Sequence, residues 1–470
     1  MMRAAQSEAS RSALIKRHAA SVLRGERGAM MWILALLVTY LSLQVLFLAA
    51  TSAAASIPNG VVVDRLATSA DQRLWDATDY PLDGVGHATA SFPFAGISDA
   101  FTECIALTMG VDAQNRDSAL HEAIAGPHLG TCSLAVPSVE SLAGGGSPAQ
   151  SFEYNRYWNG FTVITRPALA LGGVGAVRLA VGLIFASGIV AAATALQRRL
   201  GIGGAVALLL PVLASTNILT QPAHGFSHAL SFGVAAWGVA IGVWVALKPL
   251  PMVFIIGACV GAVFNFVDFL LNPPLAWAFF AFAVVATRWR RRPDRSLAAA
   301  AAVGVAAAGW LAGYAATWVT KWAIAVAVFG QSAWAEILGV ITNRIQGQYD
   351  GLVVPGIGQP TMRNFLFWYQ TIPTAKVIFW CGVVIVVIGA VTLLARRRIA
   401  SIAAALVLAS PILLIVGWLE LLSNHSQIHL FFVYRSVPAA IGIVVAAIVV
   451  VAARRAPVLS HARTSVAAKV

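Results

Sequence analysis

Charged side chains are scarce in this chain of 470 residues: 11% of its residues are charged, whereas 59% are hydrophobic. A soluble domain carries about 25% charged residues. A chain of this composition cannot bury its apolar surface in one water-soluble core. We therefore expect the lipid bilayer to be the solvent for most of it, because a helix needs about 20 apolar residues to cross a membrane.

Other absences exclude further classes of protein. No Walker motif and no dinucleotide-binding fingerprint occurs, so nothing points to the use of nucleotides. Residues 1–29 are polar and basic, and the run 30–50 is long enough to span, which predicts an uncleaved first helix rather than a signal peptide. The net charge of +13 does not indicate nucleic acid, because Lys and Arg form short clusters between apolar runs, as in cytoplasmic loops.

The apolar runs predict an all-α integral membrane protein with about ten transmembrane helices, cytoplasmic N- and C-termini and a large first extracytoplasmic loop. Most carboxylates then lie outside and most Lys and Arg inside. The third predicted span covers 201–220 and the sixth 275–287. The expected divisions are a basic tail (1–29), the first helix (30–50), the first outer loop with an interfacial helix (51–172), spans two to seven (173–320), a second outer segment (321–375), spans eight to ten (376–453) and a tail (454–470).

The first outer loop holds most of the acid in the chain, which indicates that the protein works on that side of the membrane. Its last part, 152–170, predicts an amphipathic helix lying on the membrane, because Tyr157, Phe161, Ile164 and Ala168 follow a helical period. The carboxylates of the loop are Asp64, Asp71, Asp76, Asp79, Asp83, Asp99, Glu103, Asp112, Asp117, Glu122, Glu140 and Glu153.

Cys104 and Cys132 lie in the same loop, where oxidation is allowed, and predict a disulfide, with free thiols as the alternative. Asp99 and Glu103 are four residues apart and share a helical face. They are candidates for a general base; in the alternative, Ser98 is the N-terminal cap of a helix that carries both acids in its first turn. Asp64 is a third candidate for the base.

Polar residues near the outer ends of the spans form a second group of candidates. Asp268 lies at membrane depth, where an ionisable group is either functional or held by a structural partner. His425 and His429 are four residues apart and would bind a lipid phosphate, form interfacial hydrogen bonds or hold zinc. The same side of the protein carries Asn265, His224, His228, Tyr434, Arg435, Lys321 and Arg344.

This layout resembles the C-type (GT-C) membrane glycosyltransferases, which use polyprenyl-phosphate sugar donors. The shared features are the first span, the acidic first loop and the interfacial helix. The stretches 156–160 and 425–435 also look like ones in uncharacterised bacterial membrane proteins of this general type. The resemblance implies a catalytic carboxylate in the first loop, at Asp99, Glu103 or Asp64, although the adjacent acidic pair common in that family is missing.

The resemblance further implies transfer of a sugar from a polyprenyl-phosphate donor to a cell-envelope glycan or glycolipid at the outer face of the cytoplasmic membrane. A flippase for a lipid-linked glycan and an envelope polysaccharide polymerase or ligase are the alternatives. No cofactor is implied, and a divalent cation is not indicated. The implied donor-phosphate and lipid residues are His425, His429, Tyr434, Arg435, Lys321 and Arg344; those for substrate are Arg156, Trp158, Asn159, Arg166, His224, His228, Asn265 and Asp268.

Overall fold

The chain is almost entirely helical, as its composition predicts. The computed structural model describes residues 2–111, 118–291, 296–346, 356–395 and 399–453. Asp112, Asp117 and the predicted tail 454–470 lie outside the described residues. The one sheet within these ranges is a pair of two-residue antiparallel strands in the first loop.

The N-terminal third contains one long helix and a folded loop. The basic residues before the first apolar run continue its helix, of which 28–55 is apolar enough to span a membrane. The elements are α1 (Met2–Ala55), α2 (Asn59–Asp71), α3 (Ala100–Leu107), α4 (Ala119–Ala125), β1 (Pro127–His128), α5 (Cys132–Ala143) and β2 (Phe152–Glu153).

The remaining chain forms a helical body with short connections. Its helices are α6 (Thr162–Leu200), α7 (Ile202–Ala214), α8 (Gln221–His224), α9 (Phe226–Val245), α10 (Leu250–Val267), α11 (Pro273–Arg291), α12 (Ser296–Phe329), α13 (Gln331–Gln346), α14 (Gln359–Thr371), α15 (Ala375–Ala395), α16 (Ile399–Ala409), α17 (Ile412–Leu421), α18 (Ser423–Ile428), α19 (Leu430–Val433) and α20 (Ser436–Ala452).

Within the described residues, fewer helices qualify as candidate membrane spans than the roughly ten predicted. Eight helices of the described residues are long and apolar enough to cross, or nine if the bent pair α7 and α8 is one span. The predicted third span is broken after Ala214, and its two parts meet at 74°. The predicted sixth span, α11, has three arginines in its last turn and is enclosed by other helices over most of its length. Its apolar part is therefore short.

The predicted interfacial helix over 152–170 is wrong in its first half. Residues 152–153 form β2, and the helix begins only at Thr162, as the first part of α6. Gly172 and Gly173 then interrupt α6 with non-helical backbone angles, so that its first ten residues turn away from the long span. Tyr157, predicted to lie on this interfacial helix, and its neighbour Trp158 are buried inside the protein.

Helices of the body approach one another at small residues. α10 packs against α12, and α6 packs against α9. A Cβ atom at Gly313 of α12 would collide with the backbone carbonyl of Ala258 in α10. Glycine at this position therefore sets the distance between the two helices, as small residues do in other membrane bundles.

We expect Gly313→Val to lower the stability of the protein by about 1–3 kcal/mol, because the added side chain has to push α10 and α12 apart. Gly304→Val is the matched control on the same helix, since a Cβ atom there meets nothing within 4 Å. The measurement is thermal unfolding in detergent, and equal midpoints for the two variants would contradict this packing.

Candidate functional site

The folded loop and the helical body enclose a cavity of about 1030 Å³. Its wall is formed by the first loop, by the turn that follows α10, by the end of α13 and by α18 and α19. Of the predicted site residues, Asp99, Arg156, Arg344, His425 and His429 line it. The cavity therefore brings together residues that lie more than 300 positions apart in the chain.

Asp99 is at once a helix cap and a partner of a histidine. It is the N-cap of α3, in place of Ser98, and it accepts hydrogen bonds from the backbone N–H of Thr102 at 3.1 Å and the Thr102 hydroxyl at 2.6 Å. His228 Nε2 lies 3.0 Å from Oδ2 of Asp99, the oxygen that also accepts the Thr102 hydroxyl. Burial raises the pKa of Asp99, but the bonds from His228 and Thr102 outweigh it and hold the pKa below its usual value.

Glu103 and Asp64 do not share this position. Glu103 is buried, forms a 2.7 Å ion pair with Arg178 of α6 and accepts the backbone N–H of Phe226 at 3.1 Å. Both of its oxygens are thus used to fasten α3 to the spans. Asp64 is exposed on α2 and is not part of the cavity wall. Asp99 is therefore the one of these three candidate bases that reaches the cavity.

Arg344 at the end of α13 is held from two sides. Its guanidinium donates to the hydroxyl of Tyr157 at 2.9 Å and to Nδ1 of His425 at 2.6 Å. An arginine can only donate, so His425 Nδ1 is an acceptor and its Nε2–H donates to the carbonyl of Leu270 at 3.1 Å. Both nitrogens of His425 are occupied in this way, which leaves none for a metal ion.

Two of the three histidines that line the cavity, His425 and His429, are neutral at neutral pH. Burial and the nearby charge of Arg344 lower the pKa of His425 well below its usual value and that of His429 to about 4. The positive charge that the predicted pair was expected to supply comes instead from Arg344 and Arg156. Arg156 lies 4.2 Å from the ring centre of Tyr154 and forms a 2.9 Å ion pair with Glu336.

A second row of polar side chains lies behind Asp99. Arg435 donates to Nδ1 of His228 at 2.8 Å and to the amide oxygen of Asn217 at 2.9 Å. The amide nitrogen of Asn217 donates to Asp83 at 2.6 Å, and the Tyr434 hydroxyl is 3.3 Å from the amide oxygen. Arg435 and His228 are completely buried and are not part of the cavity wall, and Asp99 connects them to the cavity.

The structure places three predicted substrate residues in structural roles. Arg166 donates to the carbonyls of Ala54, Ile57 and Met109 and to the side chain of Asn59. These bonds join the first loop to α1. The indole of Trp158 donates to the carbonyl of Thr317, and Asn159 donates to that of Tyr154.

The other predicted residues also lie away from the cavity wall. Lys321 falls within α12, which continues past the predicted end of the seventh span, and it donates to the carbonyl of Ile124 at 2.7 Å. Asp268 accepts from Ser231 and from the backbone of Leu271, and it thereby shapes the turn that forms part of the wall. Asn265 is buried in α10, and His224 is exposed on α8.

Several wall residues were not predicted as site residues, among them His128 and Tyr80. Burial and the charge of Arg156 lower the pKa of His128 to about 4, and its Nδ1 accepts the backbone N–H of Gly130 at 3.0 Å. Tyr80 stacks on Phe101. Neither residue belongs to a sequence motif, and the loop pairing that brings them to the wall leaves no periodic signal.

The predicted disulfide between Cys104 and Cys132 is confirmed. It joins α3 to α5, and α3 carries the cap residue Asp99. The bond therefore supports the part of the loop that presents the carboxylate to the cavity.

We expect the double substitution Cys104→Ser and Cys132→Ser to lower the stability of the loop by about 3 kcal/mol, because the crosslink restricts the unfolded chain. The double substitution Cys259→Ser and Cys381→Ser is the matched control, since both of these cysteines are free. Limited proteolysis of the first loop is the measurement. Equal cleavage rates for the two variants would show that the crosslink does not hold the loop.

No family model matches this chain, and neither a curated protein nor a solved structure matches it.

Proposed function

We propose that this protein is a membrane glycosyltransferase that moves a sugar from a polyprenyl-phosphate donor to a cell-envelope glycan or glycolipid at the outer face of the cytoplasmic membrane. The observation that carries the proposal is the cavity, which holds the buried carboxylate of Asp99 together with the guanidinium groups of Arg344 and Arg156. A sugar bound between a base and a phosphate site needs this combination of groups.

Asp99 suits the role of general base. Its pKa is held below the usual value, so the carboxylate is ionised at neutral pH and can accept a proton from an acceptor hydroxyl. Glu103 forms an ion pair with Arg178, and Asp64 lies outside the cavity wall. The role that the family resemblance assigns to a first-loop carboxylate therefore falls to Asp99 in this proposal.

Arg344 and Arg156 suit the lipid phosphate. Guanidinium groups bind phosphate oxygens by charge-assisted hydrogen bonds, and Arg344 is already oriented by Tyr157 and His425. In this arrangement His425 and His429 contribute neutral rings, whereas Arg435 and Tyr434 stand behind Asp99. The phosphate site is thus assigned to the two arginines.

A small apolar pocket of about 120 Å³ adjoins the cavity and shares Arg156 and Arg344 with it. Its other wall residues include Trp318 and Trp322 of α12 and Ile337 of α13. An apolar pocket that ends at two cations fits a ligand with a hydrocarbon tail and an anionic head. This combination supports a lipid phosphate rather than a free sugar phosphate.

An envelope polysaccharide ligase or polymerase is the second candidate, favoured by the position of His429 beside Arg344 in the same cavity. Such an enzyme would depend on the arginine and histidine rather than on the carboxylate. A flippase would depend on neither for bond formation. The effects of single substitutions therefore separate these functions.

We expect Asp99→Asn to lower the rate of sugar transfer by at least about 100-fold, because the amide cannot accept the proton of the acceptor. Asp64→Asn is the control and should leave the rate unchanged, since Asp64 is exposed and outside the cavity wall. The measurement is transfer from a radiolabelled polyprenyl-phosphate sugar in proteoliposomes. Full activity of a folded Asp99→Asn protein would eliminate the glycosyltransferase base and favour the ligase.

We expect Arg344→Gln to lower kcat/KM for the donor about 10- to 100-fold, because a charge-assisted hydrogen bond to the phosphate is lost. Arg65→Gln, an exposed arginine on α2, is the matched control. Donor titrations in the same proteoliposomes measure the effect. If the two variants behave alike, the phosphate is bound elsewhere.

A further inference from the structure

His228 lies between the carboxylate of Asp99 and the guanidinium group of Arg435. It is completely buried at the beginning of α9, with Nε2 3.0 Å from Oδ2 of Asp99 and Nδ1 2.8 Å from Nη1 of Arg435. The three side chains come from the first loop, from α9 and from the residue before α20. They form a continuous row of hydrogen bonds that ends at the cavity.

The donor at one end determines the proton positions along the row. A guanidinium group has five N–H donors and no acceptor, so Nδ1 of His228 must be the acceptor of the bond from Arg435. The proton of the neutral ring is then on Nε2, which donates to Asp99. The positive charge that balances Asp99 therefore lies on Arg435, one neutral ring away from the carboxylate.

The same hydrogen bonds leave one acceptor position of the Asp99 carboxylate for substrate. A carboxylate has about four acceptor positions. Within the described residues, Oδ2 accepts from His228 and the Thr102 hydroxyl, and Oδ1 accepts only from the backbone of Thr102. The position that remains is on Oδ1, and Asp99 is part of the cavity wall.

We propose that His228 is the positioning residue of the base Asp99 and that Arg435 fixes its Nε2–H tautomer. This inference rests on the proposed glycosyltransferase function. Within the described residues, the charged and titratable groups around the row are Glu103, Arg178, Asp83, His429 and Tyr434.

The proton balance of the transfer follows from this arrangement. The acceptor hydroxyl gives its proton to Oδ1 of Asp99 while its oxygen forms the bond to the anomeric carbon. The bond from that carbon to the phosphate oxygen breaks, and the phosphate leaves with the electron pair, its negative charge facing the arginines of the cavity. His228 cannot take the proton onward, because Nδ1 is occupied by Arg435, so the proton leaves Asp99 through the cavity.

The first test measures the tautomer directly and does not need activity. The full chain is labelled with ¹⁵N-histidine in lipid nanodiscs, and the His228 signals are assigned as those missing from His228→Gln. We expect a neutral ring with an unprotonated Nδ1 between pH 6 and 8 in the wild type. In Arg435→Met, Nδ1 is released and Asp99 favours a second proton, so the ring should become an imidazolium.

An imidazolium or an Nδ1–H tautomer in the wild type would overturn the inference, as would an unchanged neutral ring in a folded Arg435→Met protein. If Arg435→Met does not fold, Arg435→Gln is the second variant, because its amide can present its oxygen as well as its N–H to the ring. This measurement decides the proton arrangement whether or not the protein transfers sugar.

The second test uses the pH profile of kcat. His228→Leu removes the donor to Asp99, so kcat should fall about 100-fold because the base is no longer held in place. The acidic limb should rise on the order of one pH unit, because the ionised carboxylate has lost a hydrogen bond while it stays buried. His228→Gln keeps an N–H donor and should restore the limb to the wild-type position.

The outcomes of the kinetic test are distinct. A lower kcat with an unmoved acidic limb, and no recovery in His228→Gln, would show that His228 is needed only for packing and would overturn its positioning role. Absence of transfer by the wild type with any polyprenyl-phosphate sugar would contradict the proposed function instead. The tautomer measurement would then still confirm or refute the arrangement of His228 and Arg435.

Discussion

Two arginines that can only donate hydrogen bonds organise this site, and of these Arg435 is completely buried and Arg344 is partly buried. Arg344 donates to His425 and Arg435 donates to His228, so each histidine is a neutral acceptor at Nδ1 and a donor at Nε2. Nε2 of His425 donates to the carbonyl of Leu270 and fixes that turn, and Nε2 of His228 donates to the carboxylate of Asp99 and fixes it. A charge buried in apolar surroundings is costly unless it is paired, and the buried charge of Arg435 is paired with that of Asp99 through the neutral ring of His228.

The first loop is part of the helical body rather than an appendage to it. Arg166 ties the loop to the end of α1 through several carbonyls, and Lys321 ties α12 to the end of α4. The disulfide and the ion pair between Glu103 and Arg178 hold α3 against its neighbours. Arg166 and Lys321, which were predicted to bind substrate and the donor phosphate, thus form hydrogen bonds that hold the loop against the body. The carboxylate of Asp99 is thus held in place by its own surroundings, as a preorganised site requires.

Local patterns predicted the elements better than the contacts between them. Hydropathy located the membrane helices, because lipid imposes a minimum apolar length, but it could not distinguish α11, which is enclosed by protein, from a lipid-facing span. The cysteine pair and Asp99 were also found from the sequence. Asp99 itself caps α3, where Ser98 was predicted to be the cap, and its role as a base stays a prediction although it lies in the cavity wall.

The remaining site residues depend on pairings that no local pattern encodes. Asp99 and His228 are 129 positions apart, and Arg344 and His425 are 81 apart. The sequence therefore showed which polar residues were unusual but not which of them met. In the sequence, Arg166 and Lys321 were as unusual as Arg344. Only the fold shows that Arg344 lines the cavity and that the other two residues join elements of the fold. The side of the membrane on which the cavity opens stays a prediction from the distribution of charge.

The structure of the protein in nanodiscs with a bound polyprenyl-phosphate sugar tests the central claim most directly. We expect the phosphate beside Arg344 and Arg156, the first part of the lipid in the apolar pocket at Trp318 and Trp322, and the sugar in the cavity on the side of Asp99. A lipid phosphate bound away from both arginines, or a sugar held out of reach of Asp99, would contradict it.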